Sequence, residues 1–330
     1  MSSEKIQPQQ GYEIFRRVLH LLAGGVGATA GQFVTCPLDV VQTRLQSTHL
    51  NFSNVSHFNT IIGHHSPMLQ IHRPIFGITY FQILLNYIRY MVRTEGFKSL
   101  FKGLSPGLFG IVPAKATYFF CYANVKAKLT QSPRFNSHDH VIHTLSAVFA
   151  GTVTGTVTNP VWYIKTKLQL NRTTCSSILK VIRNGYEKHG LKCFFRGVSA
   201  SYVGVLETVI YFLLYEDLKK TFNMNQRKFK GEKFHPTHLI AAALTSKITA
   251  TTIMYPHEVI RTRLRQDIKD NTGKMKYRTF FQALKTVAKE EGRVGLYGGF
   301  GTSLIRQLPN TAVTFLTYEA IIYFLDNYEN

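Results

Sequence analysis

One phrase written three times constrains this chain more than anything else in it. Pro37-Leu38-Asp39-Val40-Val41-Gln42-Thr43-Arg44 returns as Pro160-Val161-Trp162-Tyr163-Ile164-Lys165-Thr166-Lys167, and again as Pro256-His257-Glu258-Val259-Ile260-Arg261-Thr262-Arg263. The shared form is Pro-x-(acid)-x-x-(base)-x-(base). A second phrase recurs behind each copy: Glu95-Gly96 to Phe101-Lys102-Gly103, His189-Gly190 to Phe195-Arg196-Gly197, and Glu291-Gly292 to Tyr297-Gly298-Gly299. Four residues separate the first glycine from the aromatic each time. Two linked phrases in one order, three times over, mean a tandem repeat, and repeats decide the fold before any local propensity does. The expected units are 16–133, 134–230 and 231–330, after a tail at 1–15.

Charge says what such a repeat meets. Lys and Arg number 39 against 18 acids, a net charge of +21, which calls for an anionic partner. Yet only 17% of the residues are charged, below the roughly 25% of soluble domains. The bases therefore sit between long apolar runs, a pattern of membrane proteins. A membrane-bound nucleic-acid binder would gather its Lys and Arg on one soluble face. Here they are spread through all three units, so no nucleic-acid partner is expected. Cys36, Cys121, Cys175 and Cys193 form no Cys-x-x-Cys pair and no metal spacing, so no metal or cofactor is expected. No nucleophile–base set or phosphate loop points to an enzyme. The N-terminus carries Glu4 and Glu13 and reads neither as a secretory signal nor as an Arg-rich transit peptide.

Taken in order, the chain predicts six membrane-spanning helices in three pairs, with a short surface helix inside each pair. From Val18 to Leu38 the only ionisable side chain is His20, enough length to cross a bilayer. Gly24, Gly27, Ala28 and Gly31 give that helix a face which a neighbour can approach closely. Pro37 predicts a kink inside it. Residues 47–75 are a polar insertion without counterpart in the other units. An amphipathic helix is expected at 79–93 and a span at 104–128. Unit two repeats the plan with a span at 141–164, a helix at 175–188 and a span at 198–220. Unit three has 236–265, 278–290 and 301–325. Lys115, Glu207, Lys247 and Arg306 fall inside spans, where a charge is costly and usually faces a cavity or a partner. Arg can hold a phosphate with two parallel hydrogen bonds. Acid and base three residues apart lie on one side of each odd helix. Three such helices about an axis would close a ring of ion pairs.

At these motifs the chain resembles the mitochondrial carrier family over roughly residues 16–327. The resemblance implies an all-α, six-span, pseudo-threefold monomer of the mitochondrial inner membrane that works by alternating access. It makes the triplicated phrase a matrix gate of Asp39, Gln42, Trp162, Lys165, Glu258 and Arg261, each acid facing the base of the next repeat. Asp39 would then pair with Lys165. Trp162 stands where an acid would meet Arg261. Gln42 stands where a base would meet Glu258, leaving a hydrogen bond at most. Bracing glutamines fall on Gln46 and Gln169, with Arg265 in the third place.

A cytoplasmic gate would fall on Lys126, Glu216, Lys219 and Glu319, with Glu319–Lys126 its one complete pair. Substrate contacts would fall on Gly110, on Gly204-Val205 as a flat apolar rest for a nucleobase, and on Arg306 for phosphate. Lys115, Tyr118, Glu207, Thr208, Tyr211, Lys247 and Asn310 complete the candidates. Gly103 and Gly197 would help to hold cardiolipin head groups. Three strings, 158–169, 200–208 and 251–263, resemble the pyrimidine nucleotide carriers of the family. The Pro-x-Trp departure is shared with its folate, FAD and NAD carriers.

Overall fold

The computed structural model describes residues 8–47, 78–132, 139–171, 177–228, 236–270 and 273–329. Most of the polar insertion, and residues 1–7, lie outside them. Unit one contributes α1 (Pro8–Leu45), α2 (Ile78–Glu95) and α3 (Leu104–Thr130). Unit two contributes α4 (Asp139–Val157), α5 (Asn159–Leu170), α6 (Ile178–His189) and α7 (Val198–Lys228). Unit three contributes α8 (Pro236–Leu264), α9 (Phe280–Glu290), α10 (Gly292–Leu296) and α11 (Phe300–Glu329). Tight helical turns at Phe97–Phe101 and Leu191–Phe195 occupy the place that α10 takes in unit three. Among the described residues the one extended pairing is a bridge between Lys269 and Met275.

The short helices are built on apolar spacing. In α2, Leu84, Tyr87 and Met91 fall on one face and pack against Cys36, Val40 and Val41 of α1. In α9, Phe280, Ala283 and Val287 do the same beneath Ile260 and Leu264 of α8. The long helices pack in sequence around a ring: α1 on α3, α3 on α4, α4 on α7, α7 on α8, and α1 back on α11. Tyr255 of α8 meets Phe300 of α11 edge-on, with ring centroids 5.0 Å apart. Small residues set the distances. A Cβ on Gly27 or Gly31 would lie 2.6 or 2.5 Å from atoms of Thr314, so α1 and α11 touch backbone to backbone there. Gly24 has open space instead.

One expectation changes. Pro37 lies inside α1 and Pro256 inside α8, whereas the expected single span at 141–164 splits at Thr158 into α4 and α5, bent by 59°. The break is stitched in place. Thr158 Oγ1 donates to the Thr154 carbonyl at 2.7 Å and accepts from Trp162 Nε1 at 3.0 Å. Asn159 Nδ2 turns away to donate to the Phe194 carbonyl at 2.7 Å.

Length and hydropathy alone also qualify one stretch, Leu191–Thr221, as able to cross a membrane, with the α4–α5 pair added if taken together. Among the described residues of the other long helices, α1, α8 and α11 bury polar side chains and turn large apolar ones outward. Thr35, Gln42, Ser246, Thr251 and Ser303 are buried, while Phe33, Phe120, Phe149, Ile253 and Phe315 are exposed.

Candidate functional site

The three proline phrases converge at one end of the ring. Lys165 Nζ lies 2.8 Å from Asp39 Oδ2, and Gln169 Nε2 donates to the same oxygen at 2.8 Å. Gln42 Nε2 donates to Glu258 Oε2 at 3.1 Å, a hydrogen bond from a neutral amide in the place of an ion pair. Gln46 Nε2 approaches the same oxygen at 3.5 Å and donates to the Tyr255 hydroxyl at 3.0 Å. The third side carries no acid. Trp162 lies under the Lys165 ammonium, 5.2 Å from the ring centroid, and the Nε of Arg261 has no hydrogen-bond partner. Arg265, in the third brace position, reaches across to unit two. It donates to Thr166 Oγ1 and Asn159 Oδ1, both at 3.0 Å, and to the Trp162 carbonyl at 3.3 Å.

A second tier lies outside this layer, and sequence spacing did not single it out. The last bases of the first and third phrases tie their own units together and reach the next. Arg44 forks onto Glu95 at 2.6 and 2.7 Å and donates through Nε to the Gln169 carbonyl at 3.0 Å. Arg263 forks onto Glu291, with 2.7 Å on one arm, and donates to the Gln46 carbonyl at 2.7 Å. In unit two His189 stands where the acid would be, and Lys167 turns to Asp267 of unit three at 2.5 Å instead. Arg196 meets the same carboxylate at 2.8 Å. Burial alone would raise the Glu95 carboxyl, but hydrogen bonds from Arg44 and Lys102 outweigh it and hold the group below its ordinary value. On the loop before α9, burial would lower the Lys276 ammonium, and its hydrogen bond to Glu290 instead carries it above its ordinary value.

The signal for this tier was present. The acids of the second phrase and the last bases of the first recur together, and the acid is missing in unit two, where His189 stands opposite Lys167.

Gly103 and Gly197 have φ of +77° and +82°, a region that favours glycine. Each abuts the odd helix of the next unit: a Cβ at 103 would sit 3.0 Å from the Lys165 carbonyl, and one at 197 would sit 3.2 Å from that of Arg261. Gly299 does the same against Gln42 of unit one. The three units therefore close on themselves.

Among the described residues, Arg306 is the expected substrate contact whose side chain hydrogen-bonds into the ring. Its Nε donates to Gln42 Oε1 at 2.8 Å and stands 3.9 Å from Asp39 Oδ1. Glu207 and Lys247 form a pair at 2.8 Å between α7 and α8, joined by Thr251 at 2.9 Å, a partner that sequence reasoning missed. Tyr118 stacks on Tyr122 and Tyr211 on Tyr215, at 6.1 and 6.0 Å, in equivalent places on α3 and α7. Lys115 is exposed, while Thr208 and Asn310 are half-buried; a Cβ on Gly31 would meet Asn310 Oδ1 at 2.7 Å.

The expected contact at Gly110 and the flat rest expected at Gly204-Val205 lie at helix crossings. Gly110 is buried against Val161 and Trp162, a Cβ on Gly204 would strike His257 Nε2 at 2.6 Å, and Val205 packs on Gly151. All three mark helix–helix contacts. The expected cytoplasmic set lies at the other end of the even helices. Lys126 and Glu319 form no ion pair in this conformation, and Lys219 is exposed. That end instead carries hydrogen bonds between neighbouring helices, Tyr122–His143 at 2.5 Å and His20–Tyr318 at 2.9 Å.

Comparison with known proteins places this geometry. The mitochondrial carrier protein family matches residues 16–133, 136–226 and 232–329, one stretch for each unit. Solute carrier family 25 member 36 of Gallus gallus is 41% identical over 322 residues, covering 94% of this chain and 98% of the relative. Solute carrier family 25 member 33 of Homo sapiens is 40% identical over 325 residues, covering 94% and 96%. The mitochondrial pyrimidine nucleotide transporter RIM2 of Saccharomyces cerevisiae is 36% identical over 328 residues, covering 93% and 86%. Three matched stretches, three closing glycines and a triplicated ring of polar contacts agree: the chain belongs to the mitochondrial carrier protein family.

Proposed function

We propose that the protein carries pyrimidine nucleotides, the di- and triphosphates of uridine, thymidine and cytidine type, across the mitochondrial inner membrane by alternating-access exchange. The observation that carries this reading is the inside-out distribution of side chains along the long helices, with Arg306 on the inner side at the edge of the closed ring. Exposed Phe, Leu, Ile and Val on the outer faces suit lipid, which demands no buried apolar core. α1, α3, α4 with α5, α7, α8 and α11 are then six spans enclosing a polar path. The name of the yeast relative gives the substrate class.

The ring at the proline phrases is the matrix gate, closed in this conformation, and the even-helix ends form the cytoplasmic gate. Arg306 receives phosphate. Lys115, the Glu207–Lys247 pair, Tyr118, Tyr211, Thr208 and Asn310 line the path and meet base and sugar. Mechanically, a nucleotide bound between the gates must favour the intermediate state over the closed one. Only that difference in affinity can open a gate. One chain closes the ring, so the carrier works as a monomer. Cardiolipin phosphate is held near Gly103 and Gly197. Beside Gly197, Arg196, Lys269, Lys274 and Arg278 line a cavity of about 560 Å³, a basic setting for it.

Binding can be tested without transport. A ligand that binds only the folded protein stabilises it, by about 2.7 kcal/mol at a hundred times its dissociation constant. UTP, TTP and CTP are expected to raise the apparent melting temperature of the purified carrier, with NAD, FAD and folate leaving it unchanged. The reverse order would replace pyrimidine nucleotides with one of those ligands.

A further inference from the structure

The gate does not close in three equal pairs, and the unequal side has its own chemistry. A lysine at position 42 could only donate. The amide of Gln42 has a donor end and an acceptor end, and both are used. Nε2 donates to Glu258 and Oε1 accepts from Arg306. This amide orientation is the only one that satisfies a carboxylate on one side and a guanidinium on the other. Glu258 is thus joined through a neutral relay to Arg306, a cation of the substrate path. Arg306 also faces Asp39 at 3.9 Å, so a single guanidinium touches two of the ring's three sides. Among the described residues no hydrogen bond reaches its two Nη groups.

We infer that Arg306 is itself a gate residue, and that it links phosphate binding to opening of the matrix gate. The inference rests on the reading of Arg306 as the phosphate contact. With the gate closed, Arg306 holds α11 to α1 through Gln42 and adds its charge beside Asp39. Its free Nη fork is the arm that a phosphate meets first. A phosphate is a far stronger partner for a guanidinium than a neutral amide. As Arg306 turns to it, Gln42 loses its donor, Glu258 loses its relay, and Asp39 keeps Lys165 and Gln169. The closed state therefore binds substrate against its own gate contacts, while the opening state does not. That is the differential affinity a ligand needs to shift a population. With a base at position 42, gate cation and substrate cation would be separate groups. Here Arg306 is both.

A double-mutant cycle on the purified full-length carrier, without nucleotide, tests the link directly. Gln42→Met removes both ends of the relay at similar volume, and Arg306→Lys keeps the charge without the Nε donor. Each is expected to lower the apparent melting temperature, with the double variant no lower than the worse single one. Additive losses would overturn the proposal.

Transport of UTP in proteoliposomes gives a second reading that a merely structural role would not move. Gln42→Met frees Arg306 and loosens the gate. The expected result is a several-fold lower half-saturation constant and a several-fold higher ratio of uptake without internal nucleotide to exchange. Gln42→Lys frees Arg306 but pairs with Glu258, so half-saturation falls and the maximal rate falls with it. Unchanged constants in both variants would also overturn the link. If UTP is not carried at all, the substrate reading fails, and the nucleotide-free cycle still decides whether Arg306 belongs to the gate.

Discussion

Arg306→Ala is expected to abolish nucleotide exchange while leaving folding and membrane insertion intact. Truncating one member of a desolvated charge pair costs about 2–5 kcal/mol. At roughly 1.4 kcal/mol per tenfold, that is a loss of about thirty- to several-thousand-fold in exchange rate at low substrate. The fold should survive because Arg306 makes one strong hydrogen bond, to Gln42, in a helix that also packs along α1 at Thr314. The measurement is initial exchange rate in proteoliposomes beside the melting temperature of the same preparation. Near-normal exchange would remove Arg306 from the substrate path.

Arg263→Met should have the largest effect on stability. The Arg263 side chain is 3% exposed and forks onto Glu291. Its Nε holds the Gln46 carbonyl of unit one, and Nη1 reaches the Tyr277 hydroxyl at 3.2 Å. Removing one partner of a buried pair costs about 3–5 kcal/mol, because the other charge is left without compensation. Glu291 is 24% exposed and recovers some hydration, which puts the expectation at the lower end. A fall of roughly 5 °C or more in apparent melting temperature follows. Arg263→Lys should recover little, since an ammonium cannot serve the fork and the carbonyl together. A Met variant as stable as the parent would show that the second tier does not hold the units together.

The contrast between these two arginines shows what the sequence could tell. Repetition exposed the three units, and the family resemblance, laid on the repeated phrase, implied the Asp39–Lys165 contact and the weakness at Gln42. The partner of Arg263 lies 28 residues away in a different phrase, and that of Lys167 lies in a different unit. No periodicity within one helix reports such pairs. They become visible when the two phrases are compared column by column across the units. His189 then stands out as the one place where the acid is missing. The break at Thr158 was hidden for another reason: Pro160 matches Pro37 and Pro256 in sequence. What differs is the stitching by Asn159 and Trp162, which only the folded neighbours reveal.

The neighbours of Gly110 and Gly204 were not legible, because a glycine on a helix means a close neighbour as readily as a free surface. Which neighbour fills the space depends on how the helices cross. Arg306 was legible as a cation within a span, but its reach to Gln42 spans 264 residues and appears only when the ring closes.

The most direct test of the whole account is exchange by the purified protein in proteoliposomes loaded with different nucleotides. Labelled UTP should enter vesicles that hold internal UTP, TTP or CTP much faster than empty ones, and internal NAD, FAD or folate should not drive it. Exchange of NAD, FAD or folate in vesicles where UTP and TTP fail would contradict the account.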